Sequence, residues 1–202
     1  HPSEWTRSIV AKNPSTPVSA LDLLAIDIGS EVRKHVAKHS STPVATLEVL
    51  ATDKERGVRS SVAANVSTPV AILEVLGKDQ DSDVRISVAG NPSTPATILE
   101  VLAKDEERGA RISVARNAST PVVILEVLAE DKESYVRLTV ADNPSTPVAV
   151  REAVLMALAK LPDQWGRRSV AENQATPVAI LEVLGKDKDS GVRGSVARNP
   201  ST

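Results

Sequence analysis

One block of apolar residues recurs along the chain at a nearly constant spacing. A clear copy reads Ser67-Thr68-Pro69-Val70-Ala71-Ile72-Leu73-Glu74-Val75-Leu76. Its Thr-Pro pair is repeated at Pro17, Pro43, Pro69, Pro95, Pro121, Pro147 and Pro177. The first five intervals are 26 residues each, and the last interval, from Pro147 to Pro177, is 30 residues. A fixed period of this size is typical of a protein built from tandem structural repeats.

The apolar block has the features of an α-helix that begins at its proline. Thr68 can accept a hydrogen bond from an amide of the first turn, and Pro69 suits the first helical position because it has no amide to leave unpaired. After the proline only Glu74 and Lys78 are clearly polar. The pattern therefore predicts a helix of about three turns, which we call helix B, sandwiched between neighbouring helices.

A second helix, helix A, is predicted before each block. Val84 and Val88 are four residues apart on one helical face, and Ser82 can cap the first turn. Asn91 should end the helix, because it precedes a proline and because asparagine tolerates left-handed geometry. Helix A should span about two turns of α or 3₁₀ helix. No segment alternates like a strand, so we predict an all-α solenoid of about seven to eight two-helix repeats, without β-sheet.

The repeat also determines the expected domain organisation. Short helix pairs bury enough apolar surface only when neighbours stack on them, so we expect one solenoid domain over residues 1–202. One lengthened, irregular repeat lies at about 147–176. Neither end of the sequence shows the polar capping repeat of a finished solenoid, which indicates a fragment of a longer protein.

The repeat resembles that of a known family. Residues 136–147 read Val-Arg-Leu-Thr-Val-Ala-Asp-Asn-Pro-Ser-Thr-Pro, and this pattern, followed in most copies by Ile-Leu-Glu-Val-Leu, resembles the leucine-rich repeat variant family. The resemblance implies a right-handed superhelix of alternating α and 3₁₀ helices, related to HEAT-type solenoids. Some members carry a cysteine cluster for an iron–sulfur centre, but this chain has no cysteine. The family implies no general biochemical activity.

Composition narrows the possible functions. Lys and Arg total 24 and Asp and Glu total 26, and a net charge near zero disfavours a strong non-specific hold on nucleic acid or a membrane surface. The absence of cysteine excludes disulfides and thiolate metal sites. The sequence has no apolar run of membrane-spanning length and no signal-peptide pattern, so we expect a soluble, cytoplasmic protein.

Residues that break the repeat pattern are the candidate contacts. The three aromatic residues all lie two residues before a repeated arginine: Trp5, Tyr135 and Trp165 before Arg7, Arg137 and Arg167. Other copies have the profile of an exposed turn there: Glu31, Gly57, Asp83, Gly109 and Gly191. Aromatic and arginine residues together are typical interface anchors. We predict a partner-binding edge formed by Tyr135, Trp165, Arg137, Arg167 and Arg168. The alternative is that each aromatic side chain fills a local gap.

Two further departures are candidate contact surfaces. Four extra residues in the irregular repeat amount to about one helical turn. Its helix B should therefore lengthen and protrude near Leu155 or Met156, as a structural insertion or as a docking feature. An otherwise polar or small position of helix A is apolar in three successive repeats, at Ile86, Ile112 and Leu138. These side chains either pack on an adjacent repeat or form an exposed strip for a partner.

Two ladders of polar residues are predicted to be structural. The arginine of each repeat follows an aspartate by six residues in many copies, which favours ion pairing within the scaffold. The arginines are Arg7, Arg33, Arg59, Arg85, Arg111, Arg137, Arg167 and Arg193. An asparagine ladder should satisfy backbone groups, and it comprises Asn65, Asn91, Asn117, Asn143 and Asn173.

The chemical motifs in the chain are incomplete. The acidic run that starts at Asp79 resembles a calcium loop, but Val84 stands where glycine is needed and Gly90 where glutamate is needed. His35 and His39 have a zinc-like spacing without a third ligand in a recognisable pattern. The chain has no phosphate-binding loop and no nucleophile elbow. We therefore expect no catalytic residue, no metal and no cofactor, and a protein that is not an enzyme.

The sequence thus favours a non-enzymatic scaffold that binds a protein partner. One alternative is a nucleic-acid-binding module, with the arginines on phosphates and the aromatic side chains stacked on bases. The other is a purely structural spacer. We expect no membrane partner. We also expect that the open terminal repeats allow end-to-end self-association.

Overall fold

The computed structural model describes residues 3–202, and all their regular structure is α-helical. The helices in chain order are α1 Glu4–Lys12, α2 Val18–Leu24, α3 Ser30–Lys38, α4 Val44–Leu50, α5 Arg56–Ala64, α6 Val70–Leu76, α7 Ser82–Gly90, α8 Ala96–Leu102, α9 Arg108–Arg116, α10 Val122–Leu128, α11 Ser134–Asp142, α12 Val148–Ala159, α13 Gln164–Glu172, α14 Val178–Leu184 and α15 Ser190–Val196. Odd-numbered helices are the A helices and even-numbered helices are the B helices. The predicted all-α repeat fold is confirmed, with no strand between residues 3 and 202.

The relative lengths of the two helices were predicted wrongly. A regular helix A such as α7 has nine residues, whereas a regular helix B such as α6 has seven. Helix α7 begins one residue earlier than predicted, because Asp81 is its N-cap and accepts from the amide of Asp83. Every helix in the described range is α, so the 3₁₀ alternation that the family resemblance implies is not found there.

The Thr-Pro pair also acts differently from the prediction. Pro69 is itself the N-cap of α6, with extended angles of φ −62° and ψ 151°. Thr68 does not cap α6; its buried hydroxyl donates to the carbonyl of Val62 at 2.6 Å, near the end of α5. Threonine therefore closes helix A, and proline opens helix B. Asn91 likewise ends α7 in an extended conformation, φ −74° and ψ 124°, and not in the predicted left-handed one.

The core is formed by one face of each helix. In α6, Ile72, Leu73 and Leu76 are buried, whereas Val70 and Val75 are 46% and 65% exposed. Helix B was predicted to be sandwiched, but it packs on the A helices before and after it in the chain. Its far side is left open to solvent, which corrects the prediction that the whole apolar surface is covered.

The chain forms two compact units, 1–119 and 120–202. In the first unit, the consecutive A helices α1, α3, α5, α7 and α9 pack side by side. In the second unit, α13 packs on α15 in the same way. Helices α11 and α13 contact each other less extensively, and the lengthened α12 packs more extensively on both than a regular helix B does on its neighbours. The single domain expected over residues 1–202 stays a prediction.

Candidate functional site

Arginine–aspartate rungs join successive regular repeats within the compact units. The Nε and Nη2 atoms of Arg85 donate to the carboxylate of Asp105 at 2.7 and 3.0 Å. Its Nη1 atom donates at 2.8 Å to the carbonyl oxygen of Asp79, six residues earlier. Equivalent ion pairs join Arg7 to Asp27, Arg33 to Asp53, Arg59 to Asp79 and Arg167 to Asp187. The ladder is structural, as predicted, but the carboxylate comes from the following repeat.

The rungs make the stability of the fold depend on pH. The hydrogen bond from Arg59, opposed by burial, lowers the pKa of Asp79 below its ordinary value of 3.8. A carboxyl group whose pKa falls on folding contributes stability that is complete above its unfolded pKa and is lost as the pH falls through its folded pKa.

We expect the urea midpoint of unfolding to drop as the pH is lowered from about 5 to about 3. Asp79→Asn, which removes one titrating rung, should lower the midpoint at pH 7 and reduce its dependence on pH in this range. Circular dichroism across a pH series measures both effects. A variant with the wild-type pH dependence would show that this rung does not contribute.

The asparagine ladder satisfies buried backbone groups, as predicted. Asn91 donates from Nδ2 to the carbonyls of Ala63 and Asn65 at 2.7 and 2.9 Å, and its Oδ1 accepts from the amide of Ser93 at 2.8 Å. His39 holds the equivalent place two repeats earlier. Its Nδ1 accepts from the amide of Ser41, so its Nε2 donates to the carbonyl of Asn13 at 3.0 Å. Both ring nitrogens of His39 are therefore engaged with the backbone, which argues against a zinc pair with His35.

The lengthened repeat interrupts the asparagine ladder. Arg151, in the added length of α12, donates to the carbonyls of Ala141 and Asn143 at 2.9 and 3.2 Å. These carbonyls correspond to the ones that the next asparagine of the ladder would occupy. Asn173 instead donates to the carboxylate of Asp142 at 2.6 Å. The inserted turn thus changes the contacts between repeats as well as the helix length.

A cleft of about 170 Å³ opens between α11 and α13 where α12 separates them. Its lining includes Tyr135, Leu138, Leu158, Trp165 and Ser169. Tyr135 is 52% exposed and Trp165 is 64% exposed. The predicted aromatic residues therefore border one cleft and remain accessible. They also flank the local gap that the alternative interpretation anticipated.

The predicted arginines do not share one environment. The guanidinium of Arg168 lies 6.0 Å from the ring centroid of Trp165, within cation–π distance, and also pairs with Glu172 at 2.8 Å. Arg167 points elsewhere and is held by Asp187 at 2.6 Å, so it is a scaffold residue. Arg137 lines a different cavity. Of the three arginines, only Arg168 lies beside an aromatic residue of the cleft.

Comparison with known proteins identifies the family. No protein-family model and no curated protein matches the chain. Among solved structures, it is similar to a protein described as a leucine-rich repeat variant with a novel repetitive protein structural motif. The two share 30% identity with a TM-score of 0.66, over 98% of this chain and 76% of the other. This chain belongs to the leucine-rich repeat variant family.

Two engineered proteins are also similar to this leucine-rich repeat variant chain. Their identities are 19% and 20%, with TM-scores of 0.44 and 0.43. The matches cover 95% and 90% of this chain and 71% and 94% of the engineered chains.

In this leucine-rich repeat variant, the residues of the predicted apolar strip have different surroundings. Ile86 is half-buried, and its Cδ1 atom lies 2.7 Å from where a Cβ at Gly109 would be. Gly109 therefore makes room for Ile86, which packs on the next repeat. Ile112 is also half-buried, and Leu138 lines the cleft. In the lengthened helix, the apolar surface predicted near Leu155 or Met156 is found at Met156, which is 41% exposed, whereas Leu155 is fully buried.

A row of exposed valines on the B helices was not predicted from the sequence. Val49, Val75 and Val101 occupy the same position in three successive repeats of the first unit, and each is more than half exposed. Their apolar character suggested burial. The signal that distinguishes them is their place two residues after the buried leucine, on the opposite side of the helix.

The described residues contain no group of three or more side chains arranged to hold a metal ion. Between residues 3 and 202, no helix has the length and apolar character needed to cross a membrane.

Proposed function

We propose that this leucine-rich repeat variant is a non-enzymatic scaffold that binds a protein partner at the cleft between α11 and α13. The observation that carries the proposal is the pairing of Tyr135 and Trp165 across one cleft while both stay more than half exposed. Aromatic and arginine side chains are the residues most enriched among the energetic centres of protein interfaces. Arg168, stacked near Trp165, adds a cation to the same edge.

Nucleic-acid binding is the weaker alternative. It requires arginines that are free to contact phosphates, yet Arg167 is committed to Asp187 and Arg168 is shared with Glu172. The net charge of −2 supplies no electrostatic attraction to a polyanion.

A cytoplasmic location and end-to-end self-association also remain predictions.

The test is retention of a partner from nuclease-treated lysate by the chain and by its Tyr135→Ala/Trp165→Ala variant. We expect the double variant to lose at least about ten-fold in retention, because each interface anchor contributes about 2 kcal/mol or more. Trp5→Ala is the matched control, since Trp5 occupies the same repeat position and is 73% exposed but lies outside the cleft.

Each alternative predicts a different result in this experiment. Equal retention by the double variant would place the interface elsewhere, with the exposed valines as the next candidates. Capture from a parallel untreated lysate that is lost after nuclease treatment and falls steeply with salt would favour nucleic acid. A chain that retains nothing, with or without the substitutions, would favour the structural spacer.

A further inference from the structure

The lengthened repeat leaves one rung of the arginine ladder without its carboxylate. The aspartates of the rungs lie at a fixed place after helix B, and in the irregular repeat that place is occupied by Leu161. Gly166 also stands where every other copy after the first has a buried valine or alanine, and a Cβ there would lie 2.9 Å from Cδ1 of Leu161. Leu161 therefore fills the space beside Gly166, and the repeat has exchanged a rung for an apolar contact.

Arg137 is the arginine that this exchange leaves unpaired. Its Nη1 atom keeps the usual hydrogen bond to the carbonyl of Asp131 at 2.5 Å, the anchor seen in regular rungs. In Arg59 and Arg85, the Nε and Nη2 atoms bind a carboxylate at 2.7 and 3.0 Å. Among residues 3–202, no carboxylate lies within ion-pair distance of Arg137.

The unpaired arginine lines a cavity of about 600 Å³ between α10 and α12. Val150, Val154 and Leu161 contribute apolar surface to it, and Glu126 and Glu130 lie on the side of α10. A guanidinium that is already anchored through Nη1 presents its other two donors as a fixed fork, which matches the geometry of a carboxylate. The nearby glutamates disfavour a polyanion, so the cavity suits one isolated negative charge.

We propose that this cavity binds an aspartate or glutamate side chain of a protein segment. The carboxylate takes the place of the missing rung aspartate on Nε and Nη2 of Arg137. An apolar residue next to it in the segment packs on Val150 and Val154. The cavity shares no lining residue with the cleft of Tyr135 and Trp165, so this site is independent of the proposed function.

The test titrates the chain with two matched peptides, acetyl-Leu-Asp-Leu-amide and acetyl-Leu-Asn-Leu-amide, and follows the arginine Nε–H signals by nuclear magnetic resonance. We expect the Arg137 signal to move saturably with the aspartate peptide, with at least about ten-fold weaker binding of the asparagine peptide. The signals of Arg59 and Arg85, which already hold carboxylates, should not move. Arg137→Gln assigns the signal and should abolish the binding.

The decisive variant restores the missing rung. Leu161→Asp/Gly166→Val returns both positions to the residues of regular repeats, so the new aspartate should occupy Arg137 and prevent the peptide from binding. Tyr135→Ala/Trp165→Ala should bind the peptide like the wild type. Equal affinity for the two peptides, an unmoved Arg137 signal, or unchanged binding by the restored-rung variant would overturn the proposal. Tighter binding of inorganic phosphate than of the aspartate peptide would also overturn it.

Discussion

Leu99→Ala should lower the free energy of unfolding by about 2–5 kcal/mol. Leu99 is fully buried on the inward face of α8, where Ile98 and Leu102 are buried beside it. Removing three carbon atoms there costs both their transfer from water and the cavity that remains, because α7 and α9 pack on α8 and leave it little freedom to collapse into the space. Each repeat is stable only through its neighbours, so the loss should weaken the whole unit of residues 1–119.

Urea unfolding followed by circular dichroism measures this effect. Val101→Ala is the matched control, since it shortens an apolar side chain of the same helix at a position that is 61% exposed. We expect that control to change the free energy of unfolding by no more than about 0.5 kcal/mol. Similar small effects of the two substitutions would show that the inward face of α8 is not packed as the structure indicates.

The helices could be predicted from the sequence because the period of the apolar residues reports which positions are buried. Leu73, Val84 and Val88 repeat at fixed places, and all three are buried. Local capping was less predictable, because a threonine before a proline can serve either the helix that follows or the helix that precedes. Thr68 serves the preceding one. Exposure of Val75 was not predictable from composition, since an apolar residue is buried only where a neighbour exists to cover it.

The candidate site was predictable in part. Its aromatic residues were identified because they break a pattern of small and acidic residues at one repeat position. The cleft itself depends on how far α12 separates α11 and α13, and helix length alone does not give that distance. The unpaired state of Arg137 was visible in principle, because Leu161 interrupts the row of aspartates. Recognising it required the knowledge that each arginine pairs with the aspartate of the following repeat.

Asn91→Ala should lower the free energy of unfolding by about 2–3 kcal/mol. The side chain is 1% exposed, donates two hydrogen bonds to the preceding repeat and accepts a third from the nearby amide of Ser93. Its loss leaves the carbonyl of Ala63, in the last turn of α5, buried without this donor, and a buried polar group without a partner costs about 1–3 kcal/mol. Ser93 is exposed, so water can solvate its amide when the asparagine side chain is removed. The two carbonyls should therefore account for most of the lost stability.

Asn173→Ala tests whether the loss of stability comes from the carbonyls left without a donor or from any substitution at this position of the asparagine ladder. Asn173 occupies the equivalent place after the lengthened repeat, where it is half-buried and donates to the carboxylate of Asp142 instead of to two carbonyls. A carboxylate near solvent can exchange that donor for water, so we expect a loss of no more than about 1 kcal/mol. Urea unfolding gives both free energies, and hydrogen exchange should show faster opening of α5 and α7 in the Asn91 variant. Equal losses at the two positions would mean that the stabilisation comes from the helix-ending conformation and not from the bonds to the preceding repeat.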